Sequence, residues 1–172
     1  MRIKKYIEEL KKLGACSEAI KATGKYTTSQ KLWDDCGGGD WMLWLMARTQ
    51  HDRKQLVLAA CACARLSLKY VPAGEDRPRI AIETAEKWAR DEGATLDDVR
   101  AAYVPAACVP AATAAGANAA NAAYGAAFSA TEANAAFAAA AIAAKNKTLK
   151  KCADIVRGFF PKVDKLFKDA EK

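Results

Sequence analysis

The apolar residues of the chain recur at the three- and four-residue spacing of amphipathic helices. One such face, with lysine and glutamate opposite, carries Ile3, Tyr6, Ile7, Leu10 and Leu13. Gly14 follows as a residue suited to end a helix in the left-handed conformation. Strand signals are missing from the sequence, because it has no alternating β-branched run and no Asn-Gly hairpin turn. The pattern predicts an all-α fold.

Capping residues mark the starts of the next helices. Ser17 and Ser29 are suited to cap two short helices, and Asp40 follows three consecutive glycines as a natural cap for a third. Residues 41–48 are apolar on nearly every side, which is typical of a helix covered by two neighbours or placed at an interface. We therefore expect Trp44 to be a core residue.

The longest helix signal starts at Asp52, which forms a capping-box pattern with Gln55. Residues 55–64 carry no charge, so a buried central helix at about 53–70 is predicted, with about eight helices packed around it. Arg65 follows, and a buried cation there requires a carboxylate partner.

Proline positions and a second capping box delimit the following helices. Pro78 suits the first helical position and should push Arg77 out of helical geometry. Thr95 and Asp98 form the second capping box, and Pro105 should interrupt or kink the helix that it opens.

Alanine dominates the next stretch, where it fills 25 of the 44 positions of residues 101–144. Its high helix propensity and small size predict a closely packed helical segment anchored by Tyr124, Phe128 and Phe137. Asparagine and proline within the stretch argue against a membrane span.

Charge divides the predicted single domain, residues 1–172, into four stretches. Basic helices of net charge +5 occupy both 1–31 and 145–172, core helices of net charge −2 occupy 32–100, and the Ala-rich helices of 101–144 carry only Glu132. The lysines alternate with glutamates on solvent faces, so we expect no sequence-specific nucleic acid partner. The six cysteines, read as reduced thiols, lack zinc-site spacing, so no metal is expected.

Catalytic motifs are missing from the sequence, which favours a binding protein without a cofactor. Two arginines flank Pro78 at a predicted helix start, where acids are normally preferred. Their charge is balanced either by Glu75, Asp76 and Glu83 or by an anionic ligand. Tryptophans near such a ligand would wall its pocket, although a tryptophan cluster also suits a core. The candidate anion-site residues are Arg77, Arg79, Glu83, Asp76, Trp41, Trp44, Trp88 and Asp40.

Two segments carry a resemblance to known families. Asp40-Trp41-Met42-Leu43-Trp44-Leu45 and the run 71–79 resemble Ala-rich helical proteins of bacteriophages and prophages, with a likeness over about 29–160. The shorter stretch from Arg77-Pro78-Arg79 through Trp88 is similar to immunity proteins of bacterial toxin systems. Both resemblances imply small helical proteins without an established catalytic motif. The phage relatives usually carry Asp and Tyr between their alanines, whereas this chain has Asn, Thr, Gly and Pro.

The resemblance and the arginine pair together favour a non-enzymatic, phage-encoded binding protein in the bacterial cytoplasm. It would inhibit or sequester a host factor, which is either a defence protein or a small anionic or nucleotide signal. Under this hypothesis the protein can form a homo-oligomer, and we expect it not to contact a membrane. One alternative is an immunity protein that neutralises a toxin. Another is an enzyme that acts on a nucleotide or phosphorylated substrate through Asp34, Asp35, Asp40 and the arginines.

Overall fold

A computed structural model of the chain describes residues 1–49, 52–66, 68–70, 73–107 and 146–163. Within these residues the backbone forms α-helices, one short 3-10 helix and an isolated antiparallel bridge between Arg2 and Thr28, with no strand. The predicted all-α class is confirmed. The predictions for the Ala-rich segment with its aromatic anchors, and for Pro110, fall outside the described residues.

Eight α-helices follow one another along the described part of the chain. They are α1 Ile3–Lys12, α2 Ser17–Thr23, α3 Ser29–Asp35, α4 Gly39–Arg48, α5 Arg53–Arg65, α6 Arg77–Ala89, α7 Leu96–Ala107 and α8 Asn146–Phe159, with the 3-10 helix Leu68–Tyr70 after α5. Helix α5 packs against α4, α6 and α8, while α7 packs on α6 and α1 on α2. The helix after the Ala-rich segment thus returns to the centre of the fold.

Helix α5 is the buried central helix that the uncharged stretch predicts. Val57, Ala59, Ala60 and Cys61 are completely shielded from solvent. Three of these side chains are small, so neighbouring helices can approach α5 closely on several sides. The predicted end at residue 70 is wrong, because α5 ends at Arg65 and the chain continues in the 3-10 helix.

Three predicted N-caps differ from the observed ones, and for Ser29 a contact with a distant residue accounts for the difference. Ser29 lies inside α3 and donates its hydroxyl to the Met1 carbonyl, while Thr28 caps the helix by accepting from the Lys31 N–H. Asp40 lies inside α4, which starts at Gly39. Ser17 likewise lies inside α2, after Cys16 in the cap position.

The two predicted capping boxes are present in different degrees. Thr95 and Asp98 form the complete reciprocal pair, with N–H to oxygen distances of 2.7 and 3.2 Å. Asp52 accepts from the N–H groups of Lys54 and Gln55. The Gln55 amide does not return to Asp52, because it donates to the Phe159 carbonyl of α8 at 2.9 Å.

The prediction that Pro78 pushes Arg77 out of helical geometry is wrong for a local reason, and Pro105 does not interrupt its helix, while a kink there stays a prediction. Helix α6 already includes Arg77, whose backbone N–H donates to the Glu75 carboxylate at 3.1 Å. Helix α7 passes Pro105 and ends at Ala107. The missing proline N–H would have bonded to the carbonyl of Ala101, and Ala101 is exposed, so water can satisfy that carbonyl.

An ion pair between a buried carboxylate and a partly exposed guanidinium joins the central helix to α6. The Arg65 guanidinium donates two hydrogen bonds of 2.8 Å to the two carboxylate oxygens of Glu86, whose side chain is only 10% exposed. The carboxylate partner that Arg65 was predicted to need is thus confirmed. Hydrogen bonds from Arg65 lower the pKa of Glu86 against the opposing effect of burial, and Arg90 lowers it further.

We expect Glu86→Gln to lower the free energy of unfolding at neutral pH by about 1–3 kcal/mol, because a buried charged hydrogen-bond partner is lost. The lowered pKa of Glu86 means that the wild-type ion pair stabilises the fold fully above the unfolded-state pKa, about 4.3. This stability is lost as the pH falls through the lower folded-state pKa. Urea unfolding between pH 7 and pH 3 should therefore show a smaller acid loss in the variant than in the wild type.

Glu83→Gln is the matched control, since Glu83 is half-exposed and its carboxylate lies 3.8 Å from Arg79. Its acid profile should follow that of the wild type. If Glu86→Gln also followed the wild-type profile, Glu86 would not be the group that couples stability to acid.

Candidate functional site

The arginine pair at the start of α6 is balanced by carboxylates of the same segment. Arg77 donates through Nε to Glu75 at 2.7 Å and through Nη2 to the second oxygen of that carboxylate. Arg79 lies 2.7 Å from Asp76 and 3.8 Å from Glu83. Hydrogen bonds from Arg77 lower the pKa of Glu75, so this carboxylate stays charged. The geometry matches the internal alternative, and an anionic ligand would have to displace these carboxylates.

The candidate anion-site residues lie in separate parts of the fold. Trp88 follows Arg77 by three helical turns on α6, a separation of about 16 Å at 1.5 Å per residue. Trp41 and Trp44 belong to α4 and line a cavity whose walls include neither arginine and not Trp88. The structure therefore does not place the three tryptophans in one pocket with the arginines.

The acidic candidates are also dispersed. Asp40 is buried at the start of α4, where burial raises its pKa and the N–H groups of Trp41 and Asp40 itself partly offset that rise. Asp34 and Asp35 are exposed on α3, and Asp34 accepts a hydrogen bond of 2.8 Å from Gln30. None of the three lines the cavity, so they provide no paired carboxylates for acid–base chemistry there.

An apolar cavity of about 200 Å³ opens between the first four helices. Helix α4 contributes the rings of Trp41 and Trp44, whereas the α2 positions opposite include only the small side chains of Ala19, Ala22 and Thr23. Because these small side chains do not fill the space beside the tryptophans, a void remains where helices of larger residues would touch. This cavity is the candidate functional site.

Three tryptophans of the cavity wall have different environments. Trp33 is 2% exposed and its Nε1 donates to the Phe160 carbonyl at 2.8 Å, so it is a fixed wall of the core. Trp41 and Trp44 are half-buried, and Trp44 packs against the core cluster without being fully enclosed in it, so its place in the core stays a prediction. Among the described residues, no protein acceptor receives a hydrogen bond from either of these two indole N–H groups, which leaves both available to solvent or a ligand.

The other polar groups of the wall are already engaged or weakly polar. The Thr23 hydroxyl donates to the Ala19 carbonyl at 2.8 Å. The Cys36 thiol lies 3.8 Å from the Gly38 carbonyl, and burial raises its pKa, so it remains a neutral thiol. No carboxylate, lysine, arginine or histidine of the described residues lines the cavity. Its walls therefore suit an apolar or aromatic group.

A positive charge lies next to the cavity wall. The Arg48 guanidinium carbon lies 5.8 Å from the centroid of the Trp44 ring, within the range of a cation–π contact. Arg48 is exposed at the last turn of α4 and forms no salt bridge with a carboxylate of the described residues. Arg48 is not itself among the lining residues, and its cation lies one side chain away from the cavity, against Trp44.

Sequence reasoning placed Trp41 and Trp44 among the candidates but missed their partners on α1 and α2. The available signal was the three- and four-residue spacing of Ala15, Ala19 and Ala22, which predicts only a face of small residues. Such a face is equally consistent with close helix packing. Only the tertiary structure shows that the tryptophans opposite leave it uncovered.

Comparisons with known proteins return no match: no family model, no curated protein and no solved structure is similar to the chain. The likeness to phage and immunity proteins therefore remains an expectation from the residues that carry it. In the part of the chain that the structure describes, no helix has the length and apolar character needed to cross a membrane. The same residues contain no cluster of three or more side chains that could ligate a metal ion.

Proposed function

We propose that the protein is a non-enzymatic binding protein that sequesters a small molecule by taking a planar ring into the cavity between α1, α2, α3 and α4. The observation that carries this proposal is the open, uncharged, tryptophan-walled cavity of about 200 Å³. An apolar protein cavity of about 150 Å³ accommodates benzene. The present cavity is large enough for one substituted ring or a small fused pair of rings.

The chemistry of the walls supports binding without turnover. General acid–base catalysis most often uses a histidine or a carboxylate within hydrogen-bond reach of the bound molecule. The carboxylates and arginines considered for an enzyme lie outside the cavity wall. A ring held among Trp41, Trp44 and Leu45 would instead gain stacking and burial.

A small ligand suits the described surface better than a protein partner. Protein interfaces have an apolar, aromatic-rich centre. Across the described residues, Ile80 is the large hydrophobic side chain that stands exposed, and it belongs to α6 outside the cavity wall. In a phage-encoded protein of the bacterial cytoplasm, the ligand would be a host signal molecule, and a nucleotide contributes such a ring through its base.

Indole is a suitable neutral probe, because its fused rings match the size of the cavity. We expect calorimetry to show indole binding to the wild type, and indole to raise the melting temperature in proportion to its occupancy. Ala22→Phe places a ring in the cavity from its own wall, so we expect at least a tenfold loss of indole affinity.

Ala101→Phe is the control, because Ala101 is an exposed helical alanine on α7. It should bind indole like the wild type, and the melting temperature of each variant reports whether it is folded. Indole binding of equal strength to Ala22→Phe and wild type would contradict a site in this cavity.

A further inference from the structure

We propose that Arg48 is the anion-binding group of the cavity, so that its ligand is a planar aromatic molecule with a carboxylate or phosphate substituent. This inference rests on the proposed function, because it assigns the chemical class of the molecule that the cavity binds. It differs from an anion site at Arg77 and Arg79, whose guanidinium groups are held by Glu75 and Asp76.

The first argument for this role is the position of Arg48 on α4. Arg48 follows Trp44 by four residues on α4, so the two side chains share a helix face. Trp44 is both a wall of the cavity and the ring beneath the guanidinium, which lies 5.8 Å from its centroid. A ring that stacks against Trp44 in the cavity is therefore separated from a positive charge by one side chain.

The second argument is that the Arg48 guanidinium is not neutralised by a carboxylate of the described residues. Arg65 is held by Glu86 and Arg157 by Asp154, whereas Arg48 has no carboxylate partner among the described residues. Contact with an aromatic face holds the guanidinium plane in place and leaves its edge donors available. Those donors match the oxygen pair of a carboxylate or phosphate group.

The surroundings favour an anion over a neutral or cationic ligand. No carboxylate among the described residues lines the cavity, so a bound anion meets no repelling group in its walls. The indole N–H groups of Trp41 and Trp44 are hydrogen-bond donors, which also prefer an acceptor. The chain has a formal net charge of +7, which attracts anions over longer distances.

Three probes with the same indole ring distinguish the contribution of an anionic substituent to binding from that of the ring. They are 3-methylindole, indole-3-acetate and indoxyl phosphate. We expect calorimetry of the full chain to give at least tenfold tighter binding for one or both anionic probes than for 3-methylindole. Arg48→Gln should remove this preference and leave the affinity for 3-methylindole unchanged. Added salt should weaken the anionic probes alone, because exposed charge interactions are screened.

Arg53→Gln is the matched control, since Arg53 is an exposed arginine at the start of α5 with no carboxylate partner among the described residues. It should keep the wild-type preference for anions. A preference for indoxyl phosphate over indole-3-acetate would assign the natural substituent to the phosphates, and the reverse order would assign it to the carboxylates.

The failures of the two proposals are distinguishable. Equal affinity of all three probes for wild type and Arg48→Gln would overturn the role of Arg48 and leave the cavity as a ring-binding site. Loss of 3-methylindole binding in Arg48→Gln would make Arg48 a structural support of Trp44 and also overturn the proposal. Failure of every probe to bind would overturn both proposals and leave the apolar walls to a protein partner or a second copy of the chain, which the size of the protein in solution distinguishes.

Discussion

Gly39→Ala is expected to lower the free energy of unfolding by about 3 kcal/mol, the upper end of the range for overpacked interiors. A methyl group at this position would lie 2.4 Å from the Cys152 Cβ and 2.6 Å from the Ala153 backbone nitrogen. Backbone atoms of α8 cannot rotate away as a side chain would, so α4 and α8 would have to separate. Denaturant unfolding followed by circular dichroism measures the loss.

The glycine run offers its own control. A methyl group added at Gly37 meets no atom within 4 Å, so Gly37→Ala should change stability by no more than about 0.5 kcal/mol. Equal stability of the two variants would contradict the close approach of α4 to α8 at Gly39. Because α4 also carries Trp41 and Trp44, Gly39→Ala should in addition weaken binding of indole to the cavity.

Features that depend on neighbouring residues were predictable from the sequence. The amphipathic pattern of α1, the capping pair of Thr95 and Asp98, and the left-handed Gly14 that follows α1 all reflect interactions within one or two helical turns. The buried central helix was predictable as well, because its uncharged stretch leaves no face for solvent. The carboxylate partner of Arg65 was predicted as well, although the buried member of the pair is Glu86 and the Arg65 side chain is 41% exposed.

Some of the errors fall where a distant segment competes for a local group. Ser29 is an ordinary capping residue by type, yet its hydroxyl bonds to Met1 and α3 starts after Thr28. Three glycines before Asp40 indicate a turn, but only the close contact with α8 shows why residue 39, the first of the helix, has no room for a side chain. Local sequence patterns do not specify which distant helix packs against a given segment.

The cavity could not be predicted from the sequence, for a different reason. A void is a deficit of side-chain volume between two surfaces, and its existence depends on how tryptophans of α4 meet alanines of α2. The sequence separately marked Trp41 and Trp44 as candidates, and it left the arginine pair with two possible partners. The geometry favours the internal carboxylates for Arg77 and Arg79 and places Arg48, which the sequence did not single out, next to a cavity wall.

The end of α8 is tied to α3 by contacts across more than a hundred residues. Arg157 donates to the carbonyls of Trp33 at 3.0 Å and Cys36 at 2.8 Å at the end of α3. The Gln30 amide donates to the Pro161 carbonyl at 3.1 Å, 131 residues along the chain. These bonds satisfy backbone carbonyls that the ends of α3 and α8 would otherwise leave unpaired. Trp33 lies at the centre of this junction.

Trp33→Ala is accordingly expected to cost about 3–5 kcal/mol of unfolding free energy, the range for truncating a buried aromatic residue. The indole is 2% exposed, and its removal also breaks the 2.8 Å hydrogen bond from Nε1 to the buried Phe160 carbonyl. Trp33→Phe keeps much of the ring and loses the hydrogen bond, so we expect a smaller loss of about 1–3 kcal/mol. Thermal and urea unfolding of both variants separate packing from hydrogen bonding.

Trp44→Ala is the comparison that tests the division between core and cavity. Trp44 is half-buried beside the cavity, so its truncation should cost clearly less stability than that of Trp33 while reducing the affinity for indole. Trp33→Phe should bind indole nearly as the wild type does, because an aromatic ring still lines that side of the cavity. If Trp44→Ala instead destabilised the fold as much as Trp33→Ala, Trp44 would belong to the core, and the space beside it would be a packing defect closed to ligands.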